Sequence, residues 1–442
     1  TISSLAFCTP LVCHHMEMSS ALFTGRPAAD LAEEHGQSSE LRAQALSFQK
    51  DAVALRRSLH RHPEIGNNLP VTREQVLTAL DGLPLDITLH KTTSGIAALL
   101  TGDKPGPTVL LRGDMDALPM PEDTGLDFSS VNENIMHACG HDTHTAMLVQ
   151  TAHILSQRKS NISGRVLFMF QPGEEGYAGA QFMLDEGLLD VPKHKDGSAS
   201  PITGAFALHI GTEIPVGMVG IRGGSLMASS DKLTINITGA GGHASAPHRT
   251  LDPVPVACEI VQALQTMVTR RINAFDPAIV TVTTIQAGTA YNVIPETASI
   301  QGTLRAVSAK TRSNVHSYIN QVANGIASAH GLVAEVDIEL GYPVTVNDHQ
   351  FAGFASDVAT AILGDQKVIQ MPNPVMAAED FSYVLERLPG AMMFLGGTSP
   401  DKNTATAAPN HSNHVVFDED AMAVGASLYS AMALRHLGVR LT

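Results

Sequence analysis

The stretch from Asp231 to Leu340 constrains the fold most, because its apolar pattern differs from that on either side. Leu233, Ile235 and Ile237 alternate with Thr234, Asn236 and Thr238, the mark of a half-buried strand. Val256, Ile260, Leu264 and Val268 then recur at helical spacing, and strands are predicted over 280–285 and 298–304. A second helix carries Val315, Ile319, Val322 and Ile326, closed by Gly331 at its C-terminal cap. Leu332 to Leu340 alternates as a last strand, so the order is β-α-β-β-α-β, that of a split βαβ sandwich. Around this stretch, apolar strands at 95–100, 108–112, 166–170, 204–208 and 391–395 alternate with helical spacing at 143–155, 351–363 and 420–437. Two further helices are predicted from Ser39 to Leu59 and from Val71 to Leu80. That alternation suits a mixed, largely parallel sheet covered by helices. The predicted architecture is therefore an α/β unit over residues 39–227 and 342–442, interrupted by a ferredoxin-like α+β unit over 228–341. Residues 1–38 read as a tail or leader.

A chain of 442 residues is long enough for two such cores. Its net charge of -15 disfavours nucleic acid and anionic membrane as partners, since both select clustered Lys and Arg. No apolar run approaches the ~20 residues that span a bilayer. Four cysteines, Cys8, Cys13, Cys139 and Cys258, make no disulfide framework, so a reducing, cytoplasmic compartment is expected. Cys258 falls in an apolar helical pattern and is expected to be packed.

Chemistry concentrates first in His137-Ala138-Cys139-Gly140-His141-Asp142. In an extended segment alternate side chains share a face, so Cys139 and His141 are placed to grip one ion. His144 is a further candidate ligand, Gly140 permits close backbone approach, and Asp142 suits the N-cap of the following helix.

In open α/β sheets, ligands bind beyond the carboxyl ends of the strands. Polar groups recur at those places. Asp114 and Asp116 follow the strand at 108–112, Glu174 and Glu175 follow the one at 166–170, and His209 ends the one at 204–208. Glu379 and His411 flank the strand at 391–395. The adjacent carboxylates of Gln171-Pro-Gly-Glu-Glu-Gly176 repel one another, and a dication makes sense of both: one ligates while the other faces a water. One thiol, three imidazoles and a carboxylate exceed a tetrahedral site. They suit two ions a few ångströms apart, with Cys139 available as a bridge.

Seven segments, in order, resemble the amidohydrolase branch of the dinuclear metallopeptidases: Leu59–Glu64, Arg112–Pro119, His137–Asp142, Gln171–Gly176, Gly241–Ala244, Asn292–Pro295 and Ala378–Phe381. That branch includes hippurate hydrolases, N-acyl-amino-acid amidohydrolases and auxin-conjugate hydrolases. The resemblance implies a catalytic domain with an inserted lid and dimerisation domain. It implies Cys139, His141, Glu175, His209 and His411 as ligands of two divalent ions, Mn or Zn with Co possible. Glu174 is implied as the base, His243 as a stabiliser of the tetrahedral oxygen that in related dimers reaches the neighbouring site, and Asp116 as the group orienting a ligating histidine. Asn292 and Arg305 match positions that hold a substrate carboxylate. The chain departs from the pattern at Asn413, where many members have proline, and at Tyr177-Ala178, where a glycine pair is commoner.

The expected activity is hydrolysis of the amide of a small N-acyl amino acid, by a homodimer or higher homo-oligomer. A dipeptidase or carboxypeptidase with the same chemistry is the alternative, as is a non-catalytic metal-binding protein. Glu174 argues against the last, because a binding module has no use for a base beside the water.

Overall fold

The computed structural model describes residues 39–439, so the tail read at 1–38, with Cys8 and Cys13, lies outside the described residues. Helix spans 39–47, and α1 (Gln49–Arg61) follows at once. The single helix expected there is broken at Phe48, whose N–H bonds to Ala45 O three residues back, tightening the turn. After α2 (Pro70–Leu80) come β1 (Leu85–Leu89), β2 (Ile96–Thr101), β3 (Lys104–Asp114), α3 (His141–Gln157) and β4 (Ser163–Gln171). Then follow α4 (Gly179–Asp185), β5 (Ile202–Pro215), β6 (Val219–Ile221) and β7 (Gly224–Met227). The next stretch holds β8 (Asp231–Thr238), β9 (Gly242–His243), α5 (Pro253–Arg271) and β10 (Ala278–Ala287). It continues with β11 (Val293–Ile294), β12 (Thr297–Ala306), α6 (Ala309–Ala329) and β13 (Val333–Leu340). Last come β14 (Thr345–Asn347), α7 (His349–Leu363), β15 (Val368–Gln370), α8 (Ser382–Leu385), β16 (Gly390–Thr398) and α9 (Ala421–His436).

The main sheet runs β1-β2-β4-β3-β5-β16-β6-β15. Its central strands β4, β3, β5 and β16 are mutually parallel, and antiparallel strands lie outside them. Because successive side chains point to opposite faces, the apolar run of β3 serves two cores. Val109 and Leu111 pack into the core holding α3 and α9, and Leu110 into the one holding α4 and α8. The same alternation explains why these strands are apolar throughout.

The other sheet is antiparallel, in the order β10-β12-β8-β13. Leu233, Ile235 and Ile237 meet Ile260, Leu264 and Ile319 in a separate core. Cys258 is exposed, contrary to expectation. The stripe that α5 buries runs through Val256, Ala257, Ile260, Leu264 and Met267, and Cys258 lies off it.

Strand lengths bear on the site. β5 continues to Pro215, so His209 lies inside the strand rather than at its end. Its neighbour β3 pairs only as far as Arg112 with Ala207, so beyond that point β5 is flanked on one side by β16 and open on the other. β1 and β15 carry almost no burial, which is why their sequences give no strand signal.

Candidate metal centre

The site is built from three sharp turns of the chain and one strand. The first is Gly140, at φ +87, which forms the N-cap of α3. A Cβ there would stand 2.4 Å from Ile210 Cγ2, so only glycine fits. Cys139 and His141 are brought together by this left-handed turn, not by an extended segment. Asp142 does not cap the helix. Its carboxylate is taken by Arg56 Nε at 2.7 Å and His60 Nδ1 at 2.8 Å, pinning the start of α3 to α1.

The second turn is the loop after β4, with positive φ at Gly173, Gly176 and Ala178. Ala178 holds φ 52, a conformation L-residues seldom adopt. Asp116 organises this loop: its Oδ1 accepts the Glu174 N–H at 2.9 Å and its Oδ2 accepts that of Glu175 at 3.0 Å. His141 is held by the main-chain carbonyl of Asp116, with Nδ1 to O at 2.9 Å, while the carboxylate oxygen is 3.4 Å away. The third place is β5, where His209 Nδ1 meets Ile210 O at 2.8 Å. The fourth is His411, a non-glycine residue at φ 67, held by its N–H to Ala138 O at 2.9 Å. Asn410 Nδ2 ties the same turn to Cys139 O at 3.3 Å and Ile210 O at 3.0 Å.

These turns bring the five expected ligands together. Cys139 Sγ lies 3.4 Å from His209 Nε2 and 3.3 Å from His411 Nε2, which is 3.2 Å from Glu175 Oε1. Cys139, His141 and His209 form one set whose donor atoms all lie within 4.8 Å of one another; Cys139, Glu175 and His411 form another, and His141, Glu174 and Glu175 a third. Cys139, His141 and Glu175 each belong to two of them. With the Nδ1 atoms of His141 and His209 donating to carbonyls, their Nε2 lone pairs point inward. His141 Nε2 is buried and has no hydrogen-bond partner. An orphaned imidazole lone pair beside a thiol and a carboxylate fits a divalent cation.

Two other clusters are accounted for without metal. His144 is not free to ligate: Nδ1 bonds Asp114 Oδ1 at 2.5 Å, and Nε2 accepts the Ile210 N–H at 2.7 Å. Glu379 and Asp380 answer to buried Arg112, whose Nη2 lies 2.7 Å from Glu379 Oε1 and 3.2 Å from Asp380 Oδ1.

The twin glutamates are pushed apart electrically. Burial, then the negative charges of Glu379, Glu175 and Asp380, raise the Glu174 carboxyl well above its usual range. Burial acts on Glu175 as well, but the hydrogen bond from His411 and the charge of His141 outweigh it and hold that carboxyl down. Burial, then the charge of Glu175, raises the Cys139 thiol. A cation held here must displace its proton.

A cavity of ≈ 910 Å³ opens onto this cluster. Cys139, Glu174, Glu175, His209 and His411 line its floor; Ile214, Met227, Ile369, Met371, Val375 and Phe394 supply an apolar wall. Arg305, from β12 of the inserted unit, reaches the same cavity. It is half-buried, and no hydrogen bond or ion pair among the described residues ends on its guanidinium. His243 and Asn292 do not line the cavity of their own chain. His243, on β9, is exposed, and its ring takes Ser245 Oγ at 2.7 Å; Asn292 is exposed just before β11, the strand paired to β9.

A mostly parallel sheet, an antiparallel insertion facing it, and a metal-fitting cluster at their junction define a metallohydrolase with a two-part cleft. The sequence profile of peptidase family M20/M25/M40 matches residues 110–435, and the chain belongs to that family. Thermostable carboxypeptidase 1 of Saccharolobus solfataricus is 35% identical over 387 residues, 87% of this chain and 94% of that one. N-acetylcysteine deacetylase of Bacillus subtilis is 35% identical over 389 residues, 88% of this chain and 97% of that one. Hippurate hydrolase of Campylobacter jejuni is 32% identical over 392 residues, 89% and 98%. The crystal structure of a dinuclear metal-binding M20 peptidase from Bacillus subtilis superposes with a TM-score of 0.75 at 32% identity, covering 89% of this chain and 99% of that one.

Proposed function

We propose that this protein hydrolyses the amide bond of N-acyl amino acids, releasing a carboxylic acid and a free amino acid. The observation that carries the reading is Arg305, whose guanidinium takes no hydrogen bond or ion pair among the described residues and lies in the cavity that holds the metal-fitting cluster and Glu174. A guanidinium there recognises the planar carboxylate of an amino-acid product in bidentate fashion. The apolar wall takes the acyl group, and the scissile amide falls between the two. Similarity to a deacetylase and a hippurate hydrolase supports the same reading.

Cys139, His141, Glu175, His209 and His411 would hold two divalent ions, which when bound would lower the pKa of water and polarise the amide carbonyl. The mixed thiolate, imidazole and carboxylate set admits Mn or Zn, and Co when supplied. Glu174, kept basic by its surroundings, takes the proton of the attacking water and delivers it to the leaving nitrogen. Asp116 orients the loop that carries Glu174 and, through its carbonyl, the ring of His141. His243 and Asn292 lie together on the exposed β9–β11 hairpin, which we assign to the site of a second copy in a homodimer formed through the inserted unit. There His243 donates to the tetrahedral oxygen and Asn292 assists Arg305.

The test is a hydrolysis screen of metal-depleted protein with Mn, Zn or Co restored in turn. N-acetyl, N-benzoyl and long-chain acyl amino acids are compared with dipeptides. Turnover of acyl amino acids supports the proposal. Turnover of dipeptides alone favours the peptidase reading, to which the carboxypeptidase relative belongs.

A further inference from the structure

The geometry points to Tyr342 as a positioning residue for the catalytic base, tying the Glu174 loop to the linker that carries the inserted unit. The proposal rests on the amide-hydrolase reading above and adds a residue to it.

Tyr342 follows β13, where the chain leaves the inserted unit, and its ring stands edge-on to Tyr383. Its hydroxyl donates to the Glu174 carbonyl at 2.6 Å and accepts the N–H groups of Gly176 at 2.9 Å and Ala178 at 3.1 Å. One donor and two acceptor sites exhaust what a phenol offers. All three bonds end on the backbone of a single loop, which contains three residues of positive φ. Such a loop has little regular structure to hold it, so its hydrogen bonds decide its shape.

Among the described residues, the hydrogen bonds that fix Glu174 end on its main chain. Asp116 receives its N–H and Tyr342 gives to its C=O, so the peptide is clamped from two sides. The carboxylate itself has no comparable anchor; its nearest basic nitrogen is His141 Nε2 at 3.9 Å. Where Glu174 aims therefore follows from where its backbone is held.

The other end of the clamp belongs to the linker. Ser230 N–H bonds Tyr342 O at 3.0 Å, joining the entering and leaving strands of the insertion. A Cβ on Gly341 would meet Ser230 O at 2.2 Å, so these strands pass in close contact. Gly341 N–H reaches Asp231 Oδ1 at 3.1 Å, and Asp231 Oδ2 is held by Arg312 Nε at 2.9 Å and His316 Nε2 at 2.8 Å, both on α6. A continuous set of contacts thus runs from α6 through the linker to the peptide of the base.

Tyr342→Phe keeps the ring and removes only the hydroxyl. With wild-type turnover of an N-acyl amino acid established first, the variant is expected to lose about 10- to 100-fold in kcat, the scale of an ångström-level misplacement. KM, bound metal per chain and Tm should stay near wild type. Hydrogen exchange at the Ala178 amide should quicken, because it loses its acceptor, whereas the Gly176 amide keeps the Glu174 carbonyl at 2.7 Å. A kcat equal to wild type, a rise confined to KM, or a kcat loss matched by metal loss would each overturn the assignment. Absence of wild-type turnover would instead count against the amide-hydrolase reading, leaving the exchange result to judge the tether by itself.

Discussion

Cys139 Sγ stands 3.3 Å from His411 Nε2, across 272 positions of sequence. Two backbone devices make that contact: the left-handed turn at Gly140 and the left-handed His411 itself. A strained non-glycine residue kept in place by Ala138 and Asn410 contacts is the kind of strain that clusters at functional sites. The contact joins the loop before α3 to the loop before α9, and the other donors gather around it.

Replacing Glu174 by Gln keeps the shape of the side chain and removes the base. Removing a positioned base typically lowers turnover by about 10²- to 10⁴-fold, and a fall of that order in kcat is expected. Metal content should be unchanged, because the proposed ligands are Cys139, His141, Glu175, His209 and His411, and Glu174 is assigned to the water instead. Steady-state kinetics beside elemental analysis of the same sample checks both halves. A variant that keeps wild-type kcat contradicts the assigned role.

Arg305 is expected to sense the substrate carboxylate and nothing else. Arg305→Ala should lower kcat/KM for an N-acyl amino acid by about 10- to 100-fold, the worth of a charge-assisted pair. The same variant should treat the corresponding N-acyl amino-acid amide, which lacks the carboxylate, much as wild type does. Equal losses on both compounds would show that Arg305 supports the cleft without reading the substrate.

Stability should respond to acid through His436. Its ring is enclosed by Phe206, Phe351 and Phe354, bonded to Thr203 Oγ1 at 2.8 Å, and burial lowers its pKa from 6.5 to about 4. Between those values the unfolded chain binds the proton and the folded one does not, so stability rises with pH. The contribution is complete above about pH 6.5 and is lost as pH falls toward about 4, on the order of 3 kcal/mol in all. His436→Gln should remove that part of the slope, read as the difference between wild-type and variant unfolding curves from pH 7 to pH 4. Parallel curves would contradict the assignment.

Much of this site was legible in sequence, and what was not has physical causes. Residue type and family pattern point to Cys139, His141, Glu175, His209 and His411, and the structure gathers all five. The apolar run stops at Leu208, which marks His209 as a strand end in sequence, yet hydrogen bonding with β16 continues through glycine and polar residues to Pro215. Asp142 and His144 looked available because sequence does not show that Arg56, His60, Asp114 and the Ile210 amide already occupy them. Cys258 sits one residue from the buried stripe of α5, an error of one step in helical phase. Tyr342 and Asn410 act on backbone atoms of distant loops, and such contacts leave no periodicity to read.

The most direct measurement is the number of divalent ions bound per chain in wild-type protein and in Cys139→Ser, after dialysis against Mn or Zn. Because Cys139 is common to two of the donor sets, the account predicts about two ions for wild type and a loss from both positions in the variant. A variant that binds as many ions as wild type, with equal affinity, would contradict it.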